Sequence, residues 1–135
     1  MTTDPLDAIF VTTEELEGEL REKLAKMILP FVRINPEKGT ISFNLTGQKL
    51  ATKQKVLIYL LSRLALSTRN PEFQATVLPK NIESETELPG GTVRPKLTEL
   101  IREKVVFQDD QGRYSVRSSS IHKSWAILES AIPKE

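Results

Sequence analysis

The sequence predicts an α+β fold built from five helices and two β-hairpins. Three observations predict it. Apolar residues recur at helical spacing through several segments of this 135-residue chain. Short β-branched and aromatic runs, joined by turn residues, lie between them. A Pro89-Gly90-Gly91 breaker separates two short helix-like segments just ahead of the second hairpin.

Residues 1–12 read as a loose lead-in. Thr12 or Thr13 can cap the first helix, with Glu14 and Glu15 in its first turn. Leu16, Leu20, Leu24, Met27 and Ile28 then form one apolar stripe, and Glu15, Glu19, Glu22 and Lys26 take the opposite face. Pro30 ends this helix. Phe31-Val32-Arg33-Ile34 and Thr40-Ile41-Ser42-Phe43 flank Asn35-Pro36-Glu37-Lys38-Gly39, which has strong turn chemistry and predicts a hairpin.

The longest helix is expected from Gln48 to Leu66, with Leu50, Val56, Leu57, Leu60, Leu61 and Leu64 on its core face. A loop over 67–71 and a short strand over 73–78 should follow. Pro79 suits the first turn of a helix reaching Glu87, with Ile82 and Leu88 pointing inward. After the Pro-Gly-Gly turn, Thr92 is expected to cap a helix ending near Lys104, and Pro95 then falls in its first turn. Val93, Leu97, Leu100 and Ile101 form its buried stripe. Val105-Val106-Phe107 and Tyr114-Ser115-Val116 predict a second hairpin, with Gly112 supplying a left-handed residue. A last helix runs from Ile121 to about Ala131 behind the Ser118–Ser120 cap, and Pro133 stops it.

Composition narrows the classes. The chain is 39% hydrophobic and 27% charged, as in an ordinary globular domain. The longest apolar run, Val56 to Leu61, is far short of the ~20 residues that span a bilayer, so no membrane role is expected. With no cysteine there is no disulfide framework or thiolate metal site, and a cytoplasmic location is the default. The net charge of +1 is unevenly spread: residues 1–30 hold seven acids and three bases, residues 46–135 fourteen bases and ten acids. A basic remainder behind an acidic head permits a nucleic-acid face.

Enzyme chemistry finds little support. His122 is the sole histidine, so any Ser-His-acid set would depend on it. Gly90-Gly91 is too short for a phosphate-cradling loop, and Glu83, Glu85 and Glu87, spaced by two, do not share a helix face. Neither a catalytic residue, nor a metal ligand, nor a cofactor is expected.

From Gln48 to Arg117 the predicted order is helix, short strand, helix, turn, helix, strand, loop, strand. With Val77-Leu78-Pro79-Lys80-Asn81-Ile82, then Leu88 through Leu97, then Gly112-Arg113-Tyr114, this half of the chain resembles the winged helix-turn-helix superfamily of prokaryotic and archaeal DNA-binding proteins. The resemblance, with the terminal elements added from their own patterns, divides the chain into three segments: an acidic amphipathic helix plus β-hairpin over 1–45, the winged unit over 46–117, and a C-terminal helix over 118–135. It implies double-stranded DNA as partner and a transcriptional regulator as the role, with helix 92–104 in the major groove. Thr92, Arg94, Lys96 and Thr98 would face the groove, Lys80 would contact a phosphate, and Arg113 would sit at the wing. Arg102 extends the positive patch; like Lys104, it also suits a helix C-terminus with no ligand at all.

Two alternatives stay open. The wing tip carries Asp109 and Asp110, which repel phosphate, and a winged helix can instead serve as a protein-protein adaptor or as one subunit of a larger complex. The terminal helices either complete the core of one chain or join two chains into a homodimer through Leu16, Leu20, Leu24, Trp125 and Leu128.

Overall fold

A computed structural model describes residues 4–133. The first three residues of the expected lead-in and the last two of the chain lie outside them. The remainder of the lead-in holds a 3-10 turn over Pro5–Ile9. Helix α1 spans Thr13–Ile28, and the Thr12 hydroxyl caps it by accepting the Glu15 N–H at 3.0 Å. Strands β1 (Val32–Asn35) and β2 (Thr40–Phe43) pair antiparallel, with Ile34 opposite Ile41.

The long helix starts later and ends later than its apolar run predicts. A separate turn of helix, α2 (Leu45–Gln48), precedes it, because the Asn44 side chain caps the Gly47 N–H at 2.7 Å and starts a helix of its own. Gly47 is buried there; a Cβ at this position would lie 2.4 Å from the Phe31 carbonyl oxygen, so any side chain would collide with backbone. Helix α3 then runs Thr52–Arg69. It absorbs the expected loop at 67–69 because Ser67 and Thr68 donate their hydroxyls back to the Leu64 and Ala65 carbonyls within the helix. Pro71 holds the preceding Asn70 extended and stops it there.

No strand forms over 73–78. One bridge remains of it: Val77 and Tyr114 exchange both backbone hydrogen bonds, at 3.0 and 2.7 Å, before Pro79 turns the chain into helix α4 (Pro79–Thr86). Asn81 steadies the start of α4 by accepting the Leu78 N–H.

The tight turn sits earlier than the glycines suggest. Glu87 takes the left-handed conformation, φ 58°, so the reversal is made by Glu87-Leu88-Pro89 and both glycines enter helix α5 (Gly90–Arg102). Pro89, not Thr92, is the N-cap residue, and Thr92 lies inside the first turn. Pro95 therefore falls beyond the first turn, where its missing N–H leaves the Gly91 carbonyl without a helical donor. Helix α5 ends two residues before Lys104. Lys104 is itself left-handed, φ 64°; its N–H bonds to Ile101 and that of Val105 reaches back to Leu100, a Schellman closure.

Strand β3 (Val106–Gln108), one residue later than expected, pairs antiparallel with β4 (Tyr114–Val116). Gly112 has φ 78°, as the hairpin requires. Helix α6 covers Ile121–Leu128 and tightens into a 3-10 turn over Glu129–Ala131.

The elements share one core. Met27 and Phe31, the middle of α3, Ile82 of α4, Val93, Leu97 and Leu100 of α5, Val106 and Val116 of the second hairpin, and Ile121 and Leu128 of α6 are all buried in it. Helix α1 packs against α3 and α6, with Leu20, Leu24 and Trp125 partly buried between them. Leu128 is wholly buried, whereas Leu16 stays exposed. No helix among the described residues is long and apolar enough to cross a membrane.

Candidate nucleic-acid interface

Burial of Val93, Leu97 and Leu100 sets the phase of α5 and with it the direction of every other side chain on the helix. Arg94, Thr98 and Arg102, four residues apart in turn, form one exposed stripe. The Cα positions of the two arginines are about 12 Å apart along the axis, from eight residues at 1.5 Å each. Thr98 Oγ1 donates to the Arg94 carbonyl at 3.2 Å, so its hydroxyl is turned back on its own helix.

Thr92 and Lys96 do not share that stripe. At 100° per residue Lys96 stands about 200° from Arg94, on the other flank of the helix. It is half-buried, and its ammonium lies 3.5 Å from the Glu99 carboxylate. Thr92 is half-buried on this same flank. The spacing of two between Arg94 and Lys96 already carried this information, because a two-residue step in a helix crosses to the opposite side.

The flank that takes Lys96 is charge-balanced. Glu99 pairs with Lys96, and Glu103 pairs with Lys53 of α3. Glu99 of α5 and Glu103 at its C-cap are thereby paired with lysines, while Arg94 and Arg102 have no ion-pair partner among the described residues. Lys80, the second residue of α4, is exposed and likewise without an ion pair among them. No large apolar side chain is exposed on α5.

Arg113 is drawn away from the tip of the second hairpin. Its Nη1 donates to Gln74 Oε1 at 2.6 Å, and the side chain is half-buried. The tip is held by Asp109, whose carboxylate accepts the Gln111 and Arg113 N–H groups, both at 2.9 Å. Arg117, which the sequence did not single out, lies over the Phe107 ring at 4.1 Å from its centroid.

Behind Arg113 lies a polar cavity of about 300 Å³ lined by Tyr59, Arg63, Gln74, Asn81 and Glu85 among others. Arg63 Nη2 donates to the Gln74 carbonyl at 2.6 Å, while its buried Nε has no partner among the described residues. Burial pushes the Tyr59 phenol up to about 12; the nearby Glu85 charge adds to this and Arg63 opposes it. The unfolded chain releases that proton near pH 10, and the folded protein keeps it to about 12. The stability Tyr59 contributes by staying neutral is whole below pH 10 and is lost between pH 10 and 12, at up to about 1.4 kcal/mol per pH unit. Urea melts through that window should show the wild type falling faster than Tyr59→Phe; parallel curves would contradict the shift.

The only histidine, His122, is exposed, with Nδ1 3.2 Å from Lys23 Nζ. No group of three or more histidine or acidic side chains that could hold a metal ion occurs among the described residues.

Comparison with protein-family models, with curated proteins and with solved structures found no match to this chain.

Proposed function

We propose that the protein is a double-stranded DNA-binding protein of the winged-helix kind, acting as a transcriptional regulator, with α5 as its recognition helix. In this reading α4, the Glu87-Leu88-Pro89 turn and α5 are the helix-turn-helix. The hairpin β3–β4, tied to Val77, is the wing. The observation that carries it is the charge on α5: Arg94 and Arg102 project from one exposed stripe, free of ion pairs among the described residues, while Glu99 and the C-cap Glu103 are paired with lysines off that stripe. An arginine at the head of such a helix can bind guanine in bidentate fashion, and lysines such as Lys80 supply phosphate contacts. A cytoplasmic location, the default for a chain without cysteine, goes with this reading.

Asp109 and Asp110 at the hairpin tip favour a second reading, in which the unit docks on a protein. Against it, no large apolar or aromatic side chain is exposed on α5 to form the core of a protein interface.

Fluorescence anisotropy on mixed-sequence duplex DNA, titrated over salt, separates the two. The expected result is micromolar binding that weakens linearly on log–log axes, with a slope of ~0.9 per phosphate contacted. Absence of binding at low salt would overturn the DNA reading and leave the adaptor.

A further inference from the structure

Five of the seven large apolar side chains exposed among the described residues lie between Leu6 and Leu16, the other two being Leu29 and Leu45. Leu6, Ile9 and Phe10 are each more than half exposed, and Val11 and Leu16 nearly so. Single exposed apolar residues are ordinary; a run of them leading into an amphipathic helix marks a contact surface.

A groove of about 350 Å³ lies at the far end of α1, between that helix, β1 and the end of α3. Its floor includes Leu24, Ile28, Val32 and Ile34. Leu29 stands at it, 59% exposed. Arg21, Arg33 and Arg69 line the same groove, all exposed and none ion-paired among the described residues. Arg33 is held in place by donating to the Leu29 and Val32 carbonyls at 2.6 and 2.9 Å.

Helix α1 is thus polarised along its length. Its head carries Glu14, Glu15 and Glu17, exposed and without ion pairs among the described residues, and its tail ends among three arginines. Two such helices laid antiparallel set the acidic head of each against the arginine-rimmed tail of the other. The macrodipoles oppose favourably in the same arrangement. The apolar arm leaving the head of one helix then falls on the groove at the tail of its neighbour. A surface that is complementary to itself about a two-fold axis fits a second copy of the same chain.

We propose that two copies of this protein pair through antiparallel α1 helices, the Asp4–Val11 arm of each lying in the groove between α1, β1 and α3 of the other. Asp4 and the glutamates of the helix head meet Arg21, Arg33 and Arg69, while Ile9 and Phe10 cover Leu29 and the groove floor. The pairing stands independently of DNA and is tested without it.

Sedimentation velocity of the full chain should give a mass twice that of one copy at micromolar concentration. Phe10→Asp and Leu29→Asp, at exposed positions, should each return a monomer with unchanged circular dichroism. The chain contains no cysteine. Phe10→Cys and Leu29→Cys proteins, prepared separately and mixed under mild oxidation, should therefore form a mixed disulfide between different copies. A monomeric wild type, a dimer indifferent to both aspartate variants, or cross-linking no greater than between two surface cysteines elsewhere would each overturn the proposal.

Discussion

Truncation of Leu97 to alanine is expected to lower the unfolding free energy by about 2–5 kcal/mol, a large part of the 5–15 kcal/mol typical of a domain. Leu97 is buried at the middle of the apolar stripe of α5, where that helix packs on α3, α4 and β3. The loss has two parts, the transfer of the removed methyl groups and the cavity left among neighbours that cannot close around it. Chemical denaturation followed by the single tryptophan would read it directly. A loss below about 1 kcal/mol would mean that the site collapses freely and that α5 is not locked to α3 as described.

The second large effect concerns binding. Arg94→Ala is expected to weaken binding to a preferred duplex by about 1–3 kcal/mol, roughly 5- to 150-fold, and to relax the base preference at one position. The substitution should leave stability within about 0.5 kcal/mol, because the side chain is exposed and has no ion pair among the described residues. That separation distinguishes Arg94 from Leu97, whose loss would damage binding only through the fold. Lys96→Ala, on the charge-balanced flank, should change affinity much less. Normal binding by the Arg94 variant at every salt concentration would remove Arg94 from base readout.

Much of the architecture was legible because burial follows spacing. Leu20, Leu24, Met27 and Ile28 of α1 and the Val93-Leu97-Leu100 stripe of α5 announced both helices and the faces they bury, although Leu16, expected on the same stripe, is exposed. What escaped was decided by local competition or by contacts distant in sequence. Glycine is the usual left-handed residue, so Gly90-Gly91 drew the turn toward itself; the structure assigns that conformation to Glu87, and nothing in one sequence marks a glutamate for it. Asn44 stole the start of the long helix by capping a turn of its own. Arg113 read as a wing-tip contact because its partner Gln74 is 39 residues away in sequence. The misplacement of Lys96 was of another kind. Helical periodicity alone separates it from Arg94, so the charged stripe could have been narrowed to Arg94, Thr98 and Arg102 from the sequence.

The proline inside α5 has a consequence for time rather than for shape. Gly90 and Gly91 are the residues least restrained by their own side chains, and Pro95 removes the rung that would tie Gly91 to the next turn. The first turn of α5 and its remainder are therefore joined by one hydrogen bond fewer than an unbroken helix would have. The expected record is two tiers of amide exchange along one helix, rapid at Gly90 and Gly91 and slow from Val93 onward, where the core holds the chain. Arg94 directly follows the buried Val93, so the side chain proposed to meet the groove is carried by the held part of the helix, just beyond the two glycines that are free to loosen.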